Sequence, residues 1–313
     1  MTVPPALRFD DELRAQRAME SALPWPSTLR NKLYKCGQHG HWEWNEWRCH
    51  SPACARCRRL YRRKQERQMS ALIGDATNAD LSLVTVMFGV ANHAEEIGGI
   101  WQKAKSDLRN RINATRRENA RWNRVSFTCW VEADPIIFDD MAILGSEQRT
   151  MLAGLNTPRW RDDGGPAWVV HMHGIAHHRS IDWQEVQSGL ALQWPSERQV
   201  HVSPFFGDRS PEENVRGVIR YATKYRAGRT IGGGQDFWPA PWMAEYYDWT
   251  ERFSQGWQSM RFRMKMKSGE CRELPSGSAK VIADELDEPL PSVFAFNSLP
   301  ILYTDSIDYR RTW

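Results

Sequence analysis

Two histidines one residue apart, His171 and His173, stand in the apolar run WVVHMHGIAHH. On an extended chain, residues two apart share a face, so both imidazoles project together. Side by side they make half a site for a divalent cation. The third ligand is expected from a neighbouring strand. Glu132 in CWVEAD is the leading candidate, because a carboxylate inside an apolar strand is costly unless it is paired or bound to a metal. His177 and His178 are expected in the loop after the strand, with His177 near enough in sequence to join the site.

A second constellation is a thiol cluster. Cys36, Cys49, Cys54 and Cys57 fall within 22 residues, in KCGQHGHWEWNEWRCHSPACARCRR. Clustered thiols in a chain without a secretion signal suggest a metal. Zinc takes a closed tetrahedron of sulfur and nitrogen ligands, and four strong ligands leave no open position, so a structural site is expected. His39, His41 and His50 are substitutes for one ligand, which leaves the fourth position open. Cys129 and Cys271 stand alone and read as ordinary buried or half-buried thiols. Behind the cluster come Arg56, Arg58, Arg59, Arg62, Arg63, Lys64 and Arg67, opposed only by Glu66. This run reads as a helix leaving the cluster, its cations available to phosphates; the plain alternative is a solvated helix face.

The third constellation is SPEENVRGVIRYATKYRAG, residues 210–228. Ser210 as N-cap, Pro211 in the first turn and Glu213 closing an S-x-x-E box announce a helix, with Gly228 placed to stop it. Val215, Val218, Ile219 and Ala222 form its apolar stripe. Tyr221 and Tyr225, at i and i+4, should bring their hydroxyls out side by side, with Lys224 on the adjoining face. The plain alternative is a pair of core-edge tyrosines. A tyrosine can attack phosphorus when a metal polarises the phosphate and a cation stabilises the phenolate. Together, a His/His/Glu cation and paired tyrosines are the parts needed to cut and rejoin a nucleic-acid strand.

The rest of the chain must position these parts. It has 313 residues, 41% apolar and 26% charged, which is enough for a real core. The net charge of +4 falls short of the clear basic footprint of a nucleic-acid binder, so the distribution matters more than the sum. Sixteen tryptophans are a heavy load, most expected in the core and some free to stack on bases. Strands are expected over 81–90, 124–134, 166–178 and 199–206. Helices are expected through Ile97–Arg117 and near Trp183–Trp194. That order implies an α+β fold with helices on one face of the sheet. Residues 1–30 read as a leader, 31–75 as the zinc module with its basic helix, 76–270 as the catalytic domain, and 271–313 as a Pro/Ser-rich acidic tail; 135–165 is a turn-rich insertion. No run suits a signal peptide or a membrane span, so a cytoplasmic protein with no membrane partner is expected. No G-x4-G-K-[ST] motif is present.

With these motifs in order, the chain resembles the HUH endonucleases, in particular the rolling-circle replication initiators of plasmids and single-stranded-DNA phages. LSLVTVMFG stands where the family has its first, apolar motif, His171-Met172-His173 matches His-hydrophobic-His, and Tyr221-Ala222-Thr223-Lys224-Tyr225 matches Tyr-x-x-Lys-Tyr. Glu132 falls where many plasmid members carry an acidic residue, and Cys36 to Arg67 resembles their cysteine-rich front end. The resemblance spans roughly 31–270 and implies a ferredoxin-like antiparallel sheet. It also implies a two-tyrosine subgroup, in which one tyrosine nicks the origin and the other resolves the circle. The implied chemistry uses Mg²⁺ or Mn²⁺ on His171, His173 and Glu132. Tyr225 attacks first to leave a 5′-phosphotyrosyl link and a free 3′-hydroxyl, Tyr221 attacks second, and Lys224 assists. Zn²⁺ would sit in the cysteine module. The implied partners are single-stranded or extruded origin DNA, a host helicase and a host DNA polymerase. An HUH-type transposase, a non-catalytic zinc-containing DNA-binding regulator and a zinc hydrolase are the alternatives, the last disfavoured for want of H-E-x-x-H.

Overall fold

The computed structural model describes residues 9–38, 48–139, 146–155, 160–179, 181–225, 228–231, 234–254 and 257–266. Its three long strands are the apolar runs: β1 (Leu81–Ala91), β2 (Ser126–Ile136) and β3 (Ala167–His177). β3 pairs antiparallel with β1 on one side and β2 on the other, and is buried along its whole length. A strand covered on all sides must be apolar on both faces, which is why its alternation is weak. β4 (Val200–Pro204) extends the β1 side. β5 (Gly228–Ile231) and β6 (Gly234–Phe237) form a separate hairpin. β7 (Arg261–Met264) extends the β2 side, giving the order β4-β1-β3-β2-β7.

The helices are α1 (Phe9–Ala22), α2 (Thr28–Lys35), α3 (Ala55–Ile73), α4 (Ala94–Glu118), α5 (Ser146–Ala153), α6 (Trp183–Ala191), α7 (Pro211–Ala222) and α8 (Ala240–Ser254). They cover both faces of the sheet, not one. On the first face Val84, Val86, Val131, Val170 and Met172 pack with Trp101, Leu108 and Ile112 of α4 and Val186 and Leu190 of α6. On the second, Leu81, Leu83, Trp130 and Ile175 pack with Val215, Val218 and Ile219 of α7 and Met69 and Ile73 of α3. Further along that second face, Met87, Val90, Ile136 and Val169 meet Met151 and Leu152 of α5. The single-face expectation fails because β3 carries apolar residues at both parities, and each set needs its own cover.

The register fixes where the histidines fall. Val169 and Ile175 lie on the second face, under α5 and α7 respectively, and His171 and His173 lie between them on the same face. Part of the insertion, α5, therefore borders the histidine row. The N-terminal segment also belongs to the fold: α1 packs on α8, and its Met19 is fully buried. Among the described residues, no helix is long and apolar enough to cross a membrane.

Gly174, between the two buried faces of β3, is where a side chain is least tolerable. A Cβ there would meet Cys129 Sγ, with Cys129 Cα and Thr128 O both at 2.5 Å. Two of these are backbone atoms of β2, so the strand itself would have to move. Gly174→Ala is expected to destabilise the protein by about 3 kcal/mol, the upper range of overpacking. The urea midpoint checks this; a change under about 1 kcal/mol would show that β2 can shift freely.

Candidate metal centre

Glu132 of β2 sits directly opposite His171 of β3, and Thr85 of β1 directly opposite His173. The pairing aims three side chains at one point. His171 Nε2 lies 3.5 Å and His173 Nε2 3.7 Å from Glu132 Oε2. The ligand atoms of all three residues lie within 4.8 Å of one another, and all three residues are buried. These separations are slightly wider than the ~3 Å edge of an octahedron built on ~2.1 Å bonds, so an ion fits with small closure of the side chains. Three ligands on one side leave the remaining positions for other oxygens.

The outer ring nitrogens are held in the ligand arrangement. His171 Nδ1 bonds to the Val169 carbonyl at 3.0 Å, and His173 Nδ1 to Thr85 Oγ1 at 2.8 Å. With Nδ1 protonated, each ring turns the Nε2 lone pair inward, as metal-bound histidines require. Both Nε2 atoms are buried without a hydrogen bond. Burial holds both imidazoles below the usual range, His173 further, with His171 and then the Lys224 charge adding to it. Neutral rings are the form that binds metal.

Asp134 was not among the expected ligands. Two residues after Glu132 on the same face, it is 45% exposed, and its Oδ2 lies 3.7 Å from His171 Nε2. The same i, i+2 rule that paired the histidines could have found it. His177 ends β3 opposite Leu81 and Ser126 and accepts a bond from Arg179 Nε, outside the group.

The tyrosines part company. α7 starts as its sequence announces: Glu213 N–H donates to Ser210 Oγ at 3.2 Å, and Ser210 N–H to Glu213 Oε2 at 2.9 Å. It stops at Ala222, with Thr223 as C-cap, well before Gly228. Tyr221, on the last turn, stands edge-on to His173, ring centroids 4.7 Å apart, and Lys224 Nζ lies 4.1 Å from the centre of its ring. Tyr225 is past the helix. It is 3% exposed, its hydroxyl donates to the Ala53 carbonyl at 3.2 Å, and its ring stacks on Tyr247. The expected side-by-side hydroxyls depended on a helix that continues to 225, and this one does not. Burial raises the Tyr221 phenol above its ordinary range, with the Asp134 charge adding to the effect. Any phenolate at Tyr221 therefore needs positive charge beside it.

A second group gathers the four cysteines. Cys36 caps α2, Cys54 caps the start of α3, Cys57 lies in its first turn, and Cys49 comes from the loop between them. Sulfur separations are 3.6 Å for Cys36–Cys57, 3.6 Å for Cys49–Cys57 and 3.5 Å for Cys36–Cys54. A tetrahedron with ~2.3 Å zinc–sulfur bonds has edges of ~3.8 Å, so the cluster suits zinc. Bonds from the Cys49, Cys54 and Cys57 thiols hold the Cys36 thiol well below its usual range. His39 and His41 lie outside the described residues; four sulfurs converge without them.

The basic run divides along α3. Arg56, Arg63, Lys64 and Arg67 are exposed, at spacings that give one side of the helix. Arg59 and Arg62 are half-buried near Glu12, at 3.8 Å each. Arg58 is a correction: it is 4% exposed and donates to protein carbonyls, so it does not belong with the cations open to phosphate. No protein-family model, curated protein or solved structure matches the chain.

Proposed function

We propose that the protein is a metal-dependent DNA strand transferase of the HUH type, acting as a rolling-circle replication initiator, and that Tyr221 is its first nucleophile. The observation that carries this is the contact of Tyr221 with His173 in a group where Glu132, His171 and His173 converge. A divalent ion such as Mg²⁺ or Mn²⁺ on those three residues would supply positive charge to a phosphate oxygen and to the phenol.

The chain's own residues do the rest. Tyr221 Oη forms a bond to phosphorus, the bond from phosphorus to the 3′-oxygen breaks, and the phenol proton is accounted for by the 3′-hydroxyl that leaves. One phosphodiester replaces another, so the step is reversible and its energy is kept for religation. Lys224 offsets charge on the phenolate. Exposed Arg56, Arg63, Lys64 and Arg67 hold the strand by its phosphates. Tyr225 could act second, resolving the circle, only after leaving Ala53. The 3′-hydroxyl is left for a host polymerase, with unwinding by a host helicase.

The test is incubation of the full chain with single-stranded oligonucleotides and Mn²⁺. The expected product is a 5′-phosphotyrosyl adduct mapped to Tyr221 by mass spectrometry. Binding without cleavage of any strand would instead support a regulator.

In the same proposal zinc fills the cysteine cluster, on the support of its sulfur spacing. Cys54→Ala is expected to lose the ion and, since bound metal contributes to folding free energy, to destabilise the protein by on the order of 4 kcal/mol. Zinc content and the urea midpoint check it. Full zinc retention by the variant would remove Cys54 from the site.

A further inference from the structure

Arg58 follows Cys57 on α3, yet it points inward. Its Nε and Nη2 donate to the Pro52 carbonyl at 3.0 and 2.5 Å. Its Nη1 donates to the carbonyls of Thr223 at 3.2 Å and Lys224 at 2.6 Å. The guanidinium carbon also lies 4.7 Å from the ring centre of Trp257 and 5.3 Å from that of Tyr225. A buried cation is tolerable only when its donors are satisfied, and a planar fork holds both partners at fixed angles.

The partners are informative. Pro52 and Ala53 belong to the loop between Cys49 and Cys54, both of its ends being members of the sulfur cluster. Thr223 and Lys224 follow the end of α7, and Lys224 lies over Tyr221. Two more ties run the same way. Tyr225 donates to Ala53, and Arg62 donates to the Thr223 carbonyl at 3.3 Å and to its hydroxyl at 3.4 Å. The Glu132–His171–His173 group is positioned by a different framework, the pairing of β3 with β2 and β1. The sulfur cluster is thus tied to the nucleophile's backbone, whereas the ligands of the other ion are set by the sheet.

We propose that Arg58 is a positioning residue that makes the Tyr221–Lys224 pair depend on the metal in the cysteine cluster, so that losing that metal silences the tyrosine while leaving the histidine–glutamate site able to bind its ion. The kinetic part rests on the proposed nicking reaction; the structural part does not. A coupling of this type has a usual span of about 5- to 150-fold, and the loss of adduct formation should fall in it.

The experiment compares three forms of the full chain: zinc-loaded, zinc-stripped with a mercurial thiol reagent, and zinc-loaded Arg58→Lys. Lysine keeps the charge but not the fork. Amide hydrogen exchange at residues 221–225 is expected to rise about tenfold or more in the last two forms, since local opening reports local ties. Exchange in β2 and β3 and the affinity for Mn²⁺ should stay as in the loaded protein. Arg58→Lys should keep its zinc and its oligonucleotide affinity, with the loss confined to the rate of adduct formation. Unchanged exchange at 221–225 in the stripped form would overturn the proposal. So would Arg58→Lys that reacts at the full rate, or one that loosens the whole sheet and is only an anchor of the fold. If the loaded protein forms no adduct with any strand, the nicking reaction falls, and the exchange comparison still decides the coupling.

Discussion

Tyr221→Phe is expected to remove the covalent adduct of the proposed reaction and to slow strand cleavage by roughly 10³-fold or more, as loss of a nucleophile does. The phenylalanine ring keeps the edge-on contact with His173, 4.7 Å between centroids in the parent, so the fold and the metal group have no reason to change. Oligonucleotide affinity should accordingly stay within about threefold, which identifies the loss as chemical and not as binding. Tyr225→Phe gives the opposite signature. It deletes a buried bond to the Ala53 carbonyl, costing about 1 kcal/mol of stability, while first-strand cleavage continues. Cleavage rates and denaturation midpoints of both variants settle the matter. An adduct that persists in Tyr221→Phe and vanishes in Tyr225→Phe would exchange the roles of the two tyrosines.

The second large effect concerns Glu132. Its carboxylate lies 3.5 and 3.7 Å from two imidazoles that burial keeps neutral near pH 7, so those rings bring it no positive charge there. A divalent cation on the three residues would. Glu132→Gln keeps the shape and removes the charge, so the two proteins should differ in their response to added metal. At 100 times its dissociation constant the ion should stabilise the parent by about 2.7 kcal/mol, whereas the variant should not respond at that concentration. Cleavage by the variant should fall roughly 10³-fold. Thermal denaturation with and without Mn²⁺ reads the response of each protein. An equal Mn²⁺ response in the two proteins would exclude Glu132 as a ligand.

Much of this was legible in the chain because it depends on short-range rules. Alternation put His171 and His173 on one face, the isolated carboxylate marked Glu132, and the S-x-x-E box fixed where α7 begins. What could not be read was where α7 ends. Its stop at Ala222 coincides with bonds from Arg58 and Arg62 to Thr223 and Lys224, more than 160 positions away, and no local pattern announces a partner so remote. That one boundary separates Tyr221 from Tyr225. The two-sided cover of the sheet was obscured in the same way. α8 owes its place to buried Tyr246, Tyr247 and Trp249, and β7 is only four residues of RFRM whose strand character comes from pairing with β2. Asp134 needed only the parity rule, applied one step further along β2.

The depth of the two imidazoles has a consequence for what can reach them. His171 and His173 are 1% and 2% exposed, while Asp134, Tyr221 and Lys224 are half-buried. In the proposed reaction a rigid double helix would meet so deep a group only with its outer contour, whereas a lone, supple strand would bend a single phosphate toward it. Such depth would sort substrates by thickness and pliancy before any base is read, favouring DNA that has already been melted or looped out.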